Sequence, residues 1–244
     1  MRLSRIYIDA PLDQGIEVIL PEQSAHYIKN VLRLKTGNSI ILFNGEAQTD
    51  YSAHIQFSGK RVVAFIDSSV IKHTESPIAC TIIQAIGKPD HMEYFIQKAT
   101  ELGVSRISIF NSERTQTPLK SLRLEKKMQY WKNIAISACE QCGRNQLPRI
   151  QFETNLKSCI NNAPLENRFM LDFNGQNFRQ LAKNINNQQF FSILVGAEGG
   201  LTSDETNIAK DSGFKAVELG PRVLRMETAG ITLLSIIQHN YGDL

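Results

Sequence analysis

The sequence predicts an α/β protein in which a small β-barrel precedes a larger domain built around a mainly parallel sheet. Up to about residue 72, short alternating apolar runs are separated by the turn pairs Asn44-Gly45 and Ser58-Gly59, which is typical of small barrels. From about residue 78, strand patterns alternate with helical patterns, which indicates a parallel sheet covered by helices. We therefore expect one domain at residues 1–72 and a second at residues 73–244.

The first domain is expected to contain five strands and one helix. Residues 22–34 are predicted to be helical because Ala25, Ile28, Val31 and Leu32 fall on one side at helical spacing. The strands are predicted at residues 6–8, 16–20, 39–43, 51–57 and 61–66.

Apolar periodicity and turn residues also predict the elements of the second domain. Residues 78–86 form a continuous β-rich run, which is typical of a strand buried on both faces. Asp90 is expected to cap the next helix and Gly103 to end it, while Thr202 and Glu205 form a capping box for a later helix. Further strands are expected at residues 104–110, 168–173, 189–195 and 216–219, and further helices at residues 121–142, 178–185 and 228–240.

The composition excludes several classes of protein. Of the 244 residues, 42% are hydrophobic and 21% are charged, which is too apolar for a disordered chain. The longest apolar stretch, residues 231–237, is far shorter than the roughly 20 residues that span a membrane. No apolar run follows the basic N-terminus, so we expect neither a secretory signal nor membrane attachment, and we expect a cytoplasmic protein.

The cysteines and histidines do not predict a metal centre. Cys139 and Cys142 have C-x-x-C spacing, but they lie at the end of a helical pattern with no second pair of ligands nearby. The five histidines are scattered, and no H-E-x-x-H motif is present. We interpret the cysteine pair as structural and expect no metal.

Positive charge is concentrated in one part of the sequence. The net charge is only +3, yet residues 88–149 hold eleven Lys and Arg against six Asp and Glu. Many of these cations lie on the exposed side of the predicted helix 121–142. Two interpretations remain open, a solvated helix face and a surface that follows phosphate groups.

Two glycine-containing turns follow predicted strands. Gly196-Ala197-Glu198-Gly199-Gly200 lies between a strand and the capped helix, where parallel sheets bind ligands. It is neither a Walker A motif nor a G-x-G-x-x-G motif, and a turn without a ligand explains it equally well. The second turn, residues 219–229, carries Gly220, Arg222, Arg225 and Glu227, and an ion pair of Arg225 with Glu227 or Glu198 would explain its charges.

Together the two turns resemble the paired motifs of the ribosomal RNA small subunit methyltransferase E family, within the SPOUT superfamily. Four further segments are similar to that family: residues 97–104, residues 112–114, residues 140–144 followed by Leu147-Pro148, and His26 with residues 31–34 and Gly37. The sequence departs from the family pattern at Ala197, where proline is usual, and at Met226, where threonine is common.

The resemblance implies a PUA-like N-terminal barrel, a C-terminal domain with a deep trefoil knot, and a homodimer. Topology rules alone would argue against a knot. It also implies S-adenosylmethionine as methyl donor and methylation of uridine N3 in 16S rRNA. By the same resemblance, the donor is bound by Leu171, Val195, Gly196, Glu198, Gly199, Gly200, Leu219, Gly220, Leu224, Arg225, Thr228 and Ala229.

Uridine N3 carries a proton, so the reaction needs a base or a group that stabilises the uridine anion. Arg225 is the main catalytic candidate, and Glu227 or Glu198 either accepts the proton or positions Arg225. The expected RNA-binding residues are Arg2, Arg5, Arg33, Lys35, Arg114, Lys120, Arg123 and Arg144.

Three alternatives remain beside this interpretation. A SPOUT methyltransferase could act on another RNA such as tRNA, although the match over the N-terminal domain argues against it. A non-catalytic RNA-binding protein would be expected to have lost the glycine turns or Arg225, and both are intact. A nucleotide-binding Rossmann enzyme is disfavoured because G-x-G-x-x-G is missing.

Overall fold

A computed structural model describes residues 3–59, 61–185 and 188–244. The chain divides into two compact units. The first unit comprises Met1–Glu75 together with Cys139–Leu147, and the second comprises Ser76–Ala138 and Pro148–Leu244. Residues 139–147 therefore belong with the N-terminal segment, although they are distant from it in sequence.

The first unit contains a five-stranded sheet in the order β1-β3-β4-β5-β2. β1 pairs in parallel with β3, and the other pairings are antiparallel. Alternate side chains, among them Ile40, Leu42 and Ile55, are completely buried and form the core with Ile28. The strands are β1 (Arg5–Tyr7), β2 (Glu17–Ile19), β3 (Ser39–Phe43), β4 (Thr49–Ser58) and β5 (Arg61–Ile71).

The helix of the first unit is shorter than predicted. α1 (Glu22–His26) continues into one π-helical turn, Tyr27–Val31, and Arg33 follows in the left-handed region with φ of 52°. The prediction that Val31 is buried was wrong, since it is 61% exposed. A π-helical turn holds more residues than an α-helical one, which rotates Val31 away from the face of Ala25 and Ile28.

The second unit contains a six-stranded sheet in the order β11-β9-β10-β6-β7-β8, and every pairing is parallel. This confirms the predicted α/β architecture. The strands are β6 (Ala79–Ala85), β7 (Arg106–Phe110), β8 (Arg149–Glu153), β9 (Arg168–Asn177), β10 (Phe190–Val195) and β11 (Lys215–Glu218). The helices are α2 (Pro89–Glu101), α3 (Ser121–Cys142), α4 (Leu156–Asn161), α5 (Phe178–Ala182), α6 (Ser203–Asp211) and α7 (Met226–Tyr241).

The residues predicted to begin or end helices were correct for α6 and for the end of α2, and wrong for the start of α2. Thr202 Oγ1 accepts from the Glu205 amide at 3.2 Å, and Glu205 Oε2 accepts from the Thr202 amide at 2.9 Å, so the capping box is confirmed. Gly103 follows α2 with φ of 81°, as expected for a C-terminal glycine. Asp90 does not cap α2, because the helix begins at Pro89, whose ring presets the helical φ at the first position.

The central strand β6 is buried on both faces, with Ile82, Ile83 and Ala85 all completely inaccessible. This confirms the interpretation of residues 78–86 as a β-rich run buried on both faces. Because the strands are parallel, their carboxyl ends lie along one edge of the sheet. The connections that leave that edge include residues 86–88 after β6, 196–202 after β10 and 219–225 after β11.

In the described part of the chain, no helix combines the length and apolar character that a membrane crossing requires. The same residues contain no group of three or more His, Cys, Asp and Glu side chains placed to hold a metal ion.

Candidate active site

The turn after β10 is closed tightly on itself. The Gly200 amide donates to the Ala197 carbonyl at 2.8 Å, and Gly200 has a left-handed φ of 73°. A β-carbon on Gly196 would lie 2.8 Å from the Gly200 carbonyl carbon and 2.9 Å from the Leu201 nitrogen. Both positions therefore require glycine, for conformational freedom at Gly200 and for space at Gly196.

The turn after β11 leads directly into α7. Gly220 has a φ of 89°, and a β-carbon there would meet nothing within 4 Å, so the backbone faces open space. Arg225 is the extended N-cap residue of α7 and its side chain is exposed. The next residue, Met226, is buried against Gly87, where a β-carbon would collide with the methionine side chain.

One histidine contacts both turns. His91, in the first turn of α2, places Nδ1 3.5 Å from Glu198 Oε1 and 3.6 Å from Glu227 Oε2. The alternative explanation of these charges, an ion pair of Arg225 with one of the glutamates, is wrong, since among the described residues both carboxylates face His91 instead. The Arg225 side chain is exposed at the N-cap of α7, so the two carboxylates are contacted by the imidazole of His91 and not by the guanidinium group.

Sequence reasoning did not single out His91. A lone histidine carries no spacing pattern, and only the sheet order, which places β6 beside β10, brings residue 91 next to the first glycine turn. The available signal was its position just after the carboxyl end of a buried strand, where ligand sites form.

The carboxylate of Glu198 is held in its charged form. Burial alone would raise its pKa, but hydrogen bonds from the backbone amides of Lys88 (3.0 Å) and of Glu198 itself, with the charges of His91 and Lys88, lower the pKa overall. Glu227 is more enclosed, with a side chain 9% exposed, and its Oε2 has no hydrogen-bond partner within the described residues.

Arg114 lies over the first glycine turn. Its Nη1 donates to the Gly199 carbonyl at 2.7 Å. The buried carboxylate of Glu205 holds the loop that carries Arg114, since it accepts from Ser112 Oγ at 3.0 Å and from the Glu113 amide at 3.1 Å. The capping glutamate of α6 thus also fixes the segment that follows β7.

The remaining donor-site candidates lie along the same edge of the sheet. The pairing between β9 and β11 shifts after Met170, so that residues 171–175, including Leu171, leave the ladder. Val195 is buried at the end of β10, while Thr228 and Ala229 lie in the first turn of α7. Leu219 and Leu224 are partly buried, and Leu219 and Gly220 border a cavity of about 730 Å³ between α5 and α7.

The predicted RNA-binding residues separate into two groups. Arg5 and Arg144 are buried within the first unit, where Arg5 pairs with Asp50, and Arg144 pairs with Glu75 at 2.8 Å. Their guanidinium groups neutralise buried carboxylates and are not presented to a partner. Arg2 lies outside the described residues. The exposed members are Arg33, Lys35, Arg114, Lys120 and Arg123.

Comparisons with known proteins agree with this arrangement. Residues 74–238 match the RNA methyltransferase domain family, and residues 20–66 match the RNA methyltransferase PUA domain family. Ribosomal RNA small subunit methyltransferase E of Buchnera aphidicola from Schizaphis graminum is 34% identical, with 100% of this chain and 98% of that protein covered. The enzyme of the same name from the Acyrthosiphon pisum strain is 30% identical, with 99% and 95% covered.

Two solved structures are similar over their full length. A methyltransferase from Legionella pneumophila, solved with the cofactor SAM bound, is 35% identical with a TM-score of 0.92, and 100% of each chain is covered. A ribosomal RNA small subunit methyltransferase E from Neisseria gonorrhoeae, bound to S-adenosyl methionine, is 32% identical with a TM-score of 0.90 and the same coverage. The resemblance noted in the sequence is confirmed, and this chain belongs to the ribosomal RNA small subunit methyltransferase E family.

Proposed function

We propose that this protein transfers the methyl group of S-adenosylmethionine to ring nitrogen N3 of a uridine in 16S rRNA of the small ribosomal subunit. The observation that carries the proposal is the intact pair of glycine turns at the carboxyl edge of the parallel sheet, each adjoining the His91 cluster. Membership of the family over the whole chain supports the same activity.

The residues at this edge fit the proposed donor. Open space at Gly220 and the left-handed Gly200 let backbone groups approach an adenosine or methionine moiety closely. S-adenosylmethionine carries a positively charged sulfonium, and the ionised carboxylate of Glu198 supplies negative charge at the first turn. We therefore assign the donor to the two turns, with Leu171, Val195, Thr228 and Ala229 as its neighbours.

The donor supplies an electrophilic methyl group, and the protein must align it with N3 and remove the N3 proton. Holding two reactants in line can lower a barrier by about 7–11 kcal/mol. Arg225, exposed at the N-cap of α7, is the group we assign to stabilise negative charge on the uracil carbonyl oxygens. Glu198 and Glu227 are the candidate proton acceptors, because they are the carboxylates adjoining the two turns.

Exposed cations support the proposed RNA substrate. Lys120 and Arg123 lie at the start of α3, and Arg33 and Lys35 follow the π-helical turn of the first unit. RNA affinity should fall steeply with salt because phosphate contacts release counterions. Family membership further supports a PUA-like barrel in residues 1–72, a deep trefoil knot in residues 73–244, a homodimer and a cytoplasmic location.

Deletion of the gene tests the proposal. N3-methyluridine should disappear from 16S rRNA, return with the wild-type gene, and stay absent with Arg225→Ala, as followed by mass spectrometry of digested rRNA. Unchanged 16S modification in the deletion strain would refute the proposed substrate. Loss of a tRNA modification instead would favour a related enzyme, and RNA binding without any methylation would favour a non-catalytic protein.

A further inference from the structure

Three separate connections of the second unit meet at the His91 imidazole. His91 follows the carboxyl end of β6, Glu198 lies in the turn after β10, and Glu227 lies in the first turn of α7. Nδ1 is 3.5 Å from one carboxylate and 3.6 Å from the other, and the imidazole is only 19% exposed. A single side chain thus links the two turns to which the proposed function assigns the methyl donor.

Neither contact between His91 Nδ1 and a carboxylate is a normal hydrogen bond. Both distances exceed the 2.7–3.2 Å typical of N–H···O bonds. His91 Nδ1 and Glu227 Oε2 are both buried without a hydrogen-bond partner among the described residues. Such unsatisfied buried groups are rare, and catalytic hydrogen bonds that are long in the free enzyme often shorten in the complex. The cluster therefore has unused hydrogen-bonding capacity at His91 Nδ1 and Glu227 Oε2.

The charge of the imidazole decides how well this cluster holds together. Glu198 and Glu227 face Nδ1, Asp90 lies 3.9 Å from Nε2, and Lys88 stands beside Glu198. A protonated imidazole attracts both carboxylates at once. A neutral imidazole has no charge to offset the two carboxylates, and in the tautomer without a proton on Nδ1 it offers them no N–H, so the two carboxylates repel each other.

We propose that His91 is a positioning residue that ties the two glycine turns together through Glu198 and Glu227, so that methyl-donor affinity depends on the proton carried by its imidazole. The inference rests on the proposed function, because it concerns the donor site assigned there. The tie is strongest when His91 is protonated. It weakens when a rise in pH removes that proton.

Isothermal titration with S-adenosylmethionine at pH 6.0, 7.0 and 8.5 tests this inference. For the wild-type protein, Kd should rise by about tenfold across the series, which is roughly 1.4 kcal/mol. His91→Asn should bind weakly at every pH. His91→Lys, which keeps a positive charge throughout, should bind tightly with a flat profile. Thermal melting of each variant distinguishes loss of the link between the two turns from loss of the folded structure.

His54 provides the matched control. It also pairs with a carboxylate, Asp67 at 2.8 Å, but it lies in the first unit and on an exposed surface. Any change in the protonation of S-adenosylmethionine with pH affects every variant equally. His54→Asn should therefore reproduce the wild-type pH profile, and only the His91 variants should depart from it.

Two results would overturn the inference. One is a folded His91→Asn protein with the wild-type Kd and pH profile, and the other is a folded His91→Lys protein that binds no better than His91→Asn. These outcomes are distinct from failure of the proposed function, in which the wild-type protein neither binds the donor nor methylates 16S rRNA.

Discussion

Replacing Gly196 with alanine should open the first glycine turn and weaken donor binding. The new β-carbon would lie 2.8 Å from the Gly200 carbonyl carbon, 2.9 Å from the Leu201 nitrogen and 3.1 Å from the Gly200 Cα. Optimal contacts between carbon atoms are about 3.5–4.0 Å, so the backbone must move by roughly half an ångström or more. Overpacking of this kind costs about 1–3 kcal/mol. Because the donor-binding conformation bears this cost, the affinity for S-adenosylmethionine falls roughly 5- to 150-fold.

Gly213→Ala is the control for this prediction. Gly213 has a φ of 85° with nothing within 4 Å of its β-carbon position, and it lies before β11, at the opposite edge of the sheet. Alanine there should lower the free energy of unfolding by about 1–2 kcal/mol through backbone strain alone. Donor affinity, measured by calorimetry, should fall only for Gly196→Ala. A folded Gly196→Ala protein that binds S-adenosylmethionine as tightly as the wild type would refute the steric reasoning.

Three further predictions follow from the same geometry. Glu205→Gln should lower the free energy of unfolding in urea by about 2 kcal/mol, because charged hydrogen bonds to the α6 cap and the Arg114 loop are lost; an unchanged midpoint would contradict this. Arg114→Ala should weaken donor binding, since the hydrogen bond to Gly199 is lost, and should reduce the salt slope of RNA binding by about one; an unchanged slope would remove Arg114 from the RNA surface. Burial raises the pKa of three thiols to about 12, those of Cys80, Cys139 and Cys159. Because the thiolate is the reactive form, iodoacetamide at pH 8 should label only the partly exposed Cys142 of the native protein, and mass spectrometry would detect any contrary labelling.

The features that could be predicted from the sequence depend on local patterns. A continuous β-rich run identifies β6 as a strand buried on both faces, and Thr202 with Glu205 marks the start of α6. The glycine turns were found because strands, turns and helices leave signals within about ten residues. Those signals suffice to locate the ligand edge of a parallel sheet.

Features that depend on distant residues could not be predicted in the same way. Arg5 and Arg144 are basic residues in the sequence, but their burial depends on carboxylates 45 and 69 residues away. β8 and α4 were missed because they are only five and six residues long, and β8 lies at the sheet edge, where it is only partly buried. His91 gained its partners only through the order of strands in the sheet.

Methylation of small ribosomal subunits in vitro tests the central claim most directly. Subunits from the deletion strain would be incubated with the purified protein and S-adenosylmethionine carrying an isotopically labelled methyl group. Nucleoside mass spectrometry of the 16S rRNA would then locate the label. The account predicts labelled N3-methyluridine with the wild-type protein and none with Arg225→Ala. Label at a ribose hydroxyl or on another base, or no label in 16S rRNA, would contradict it.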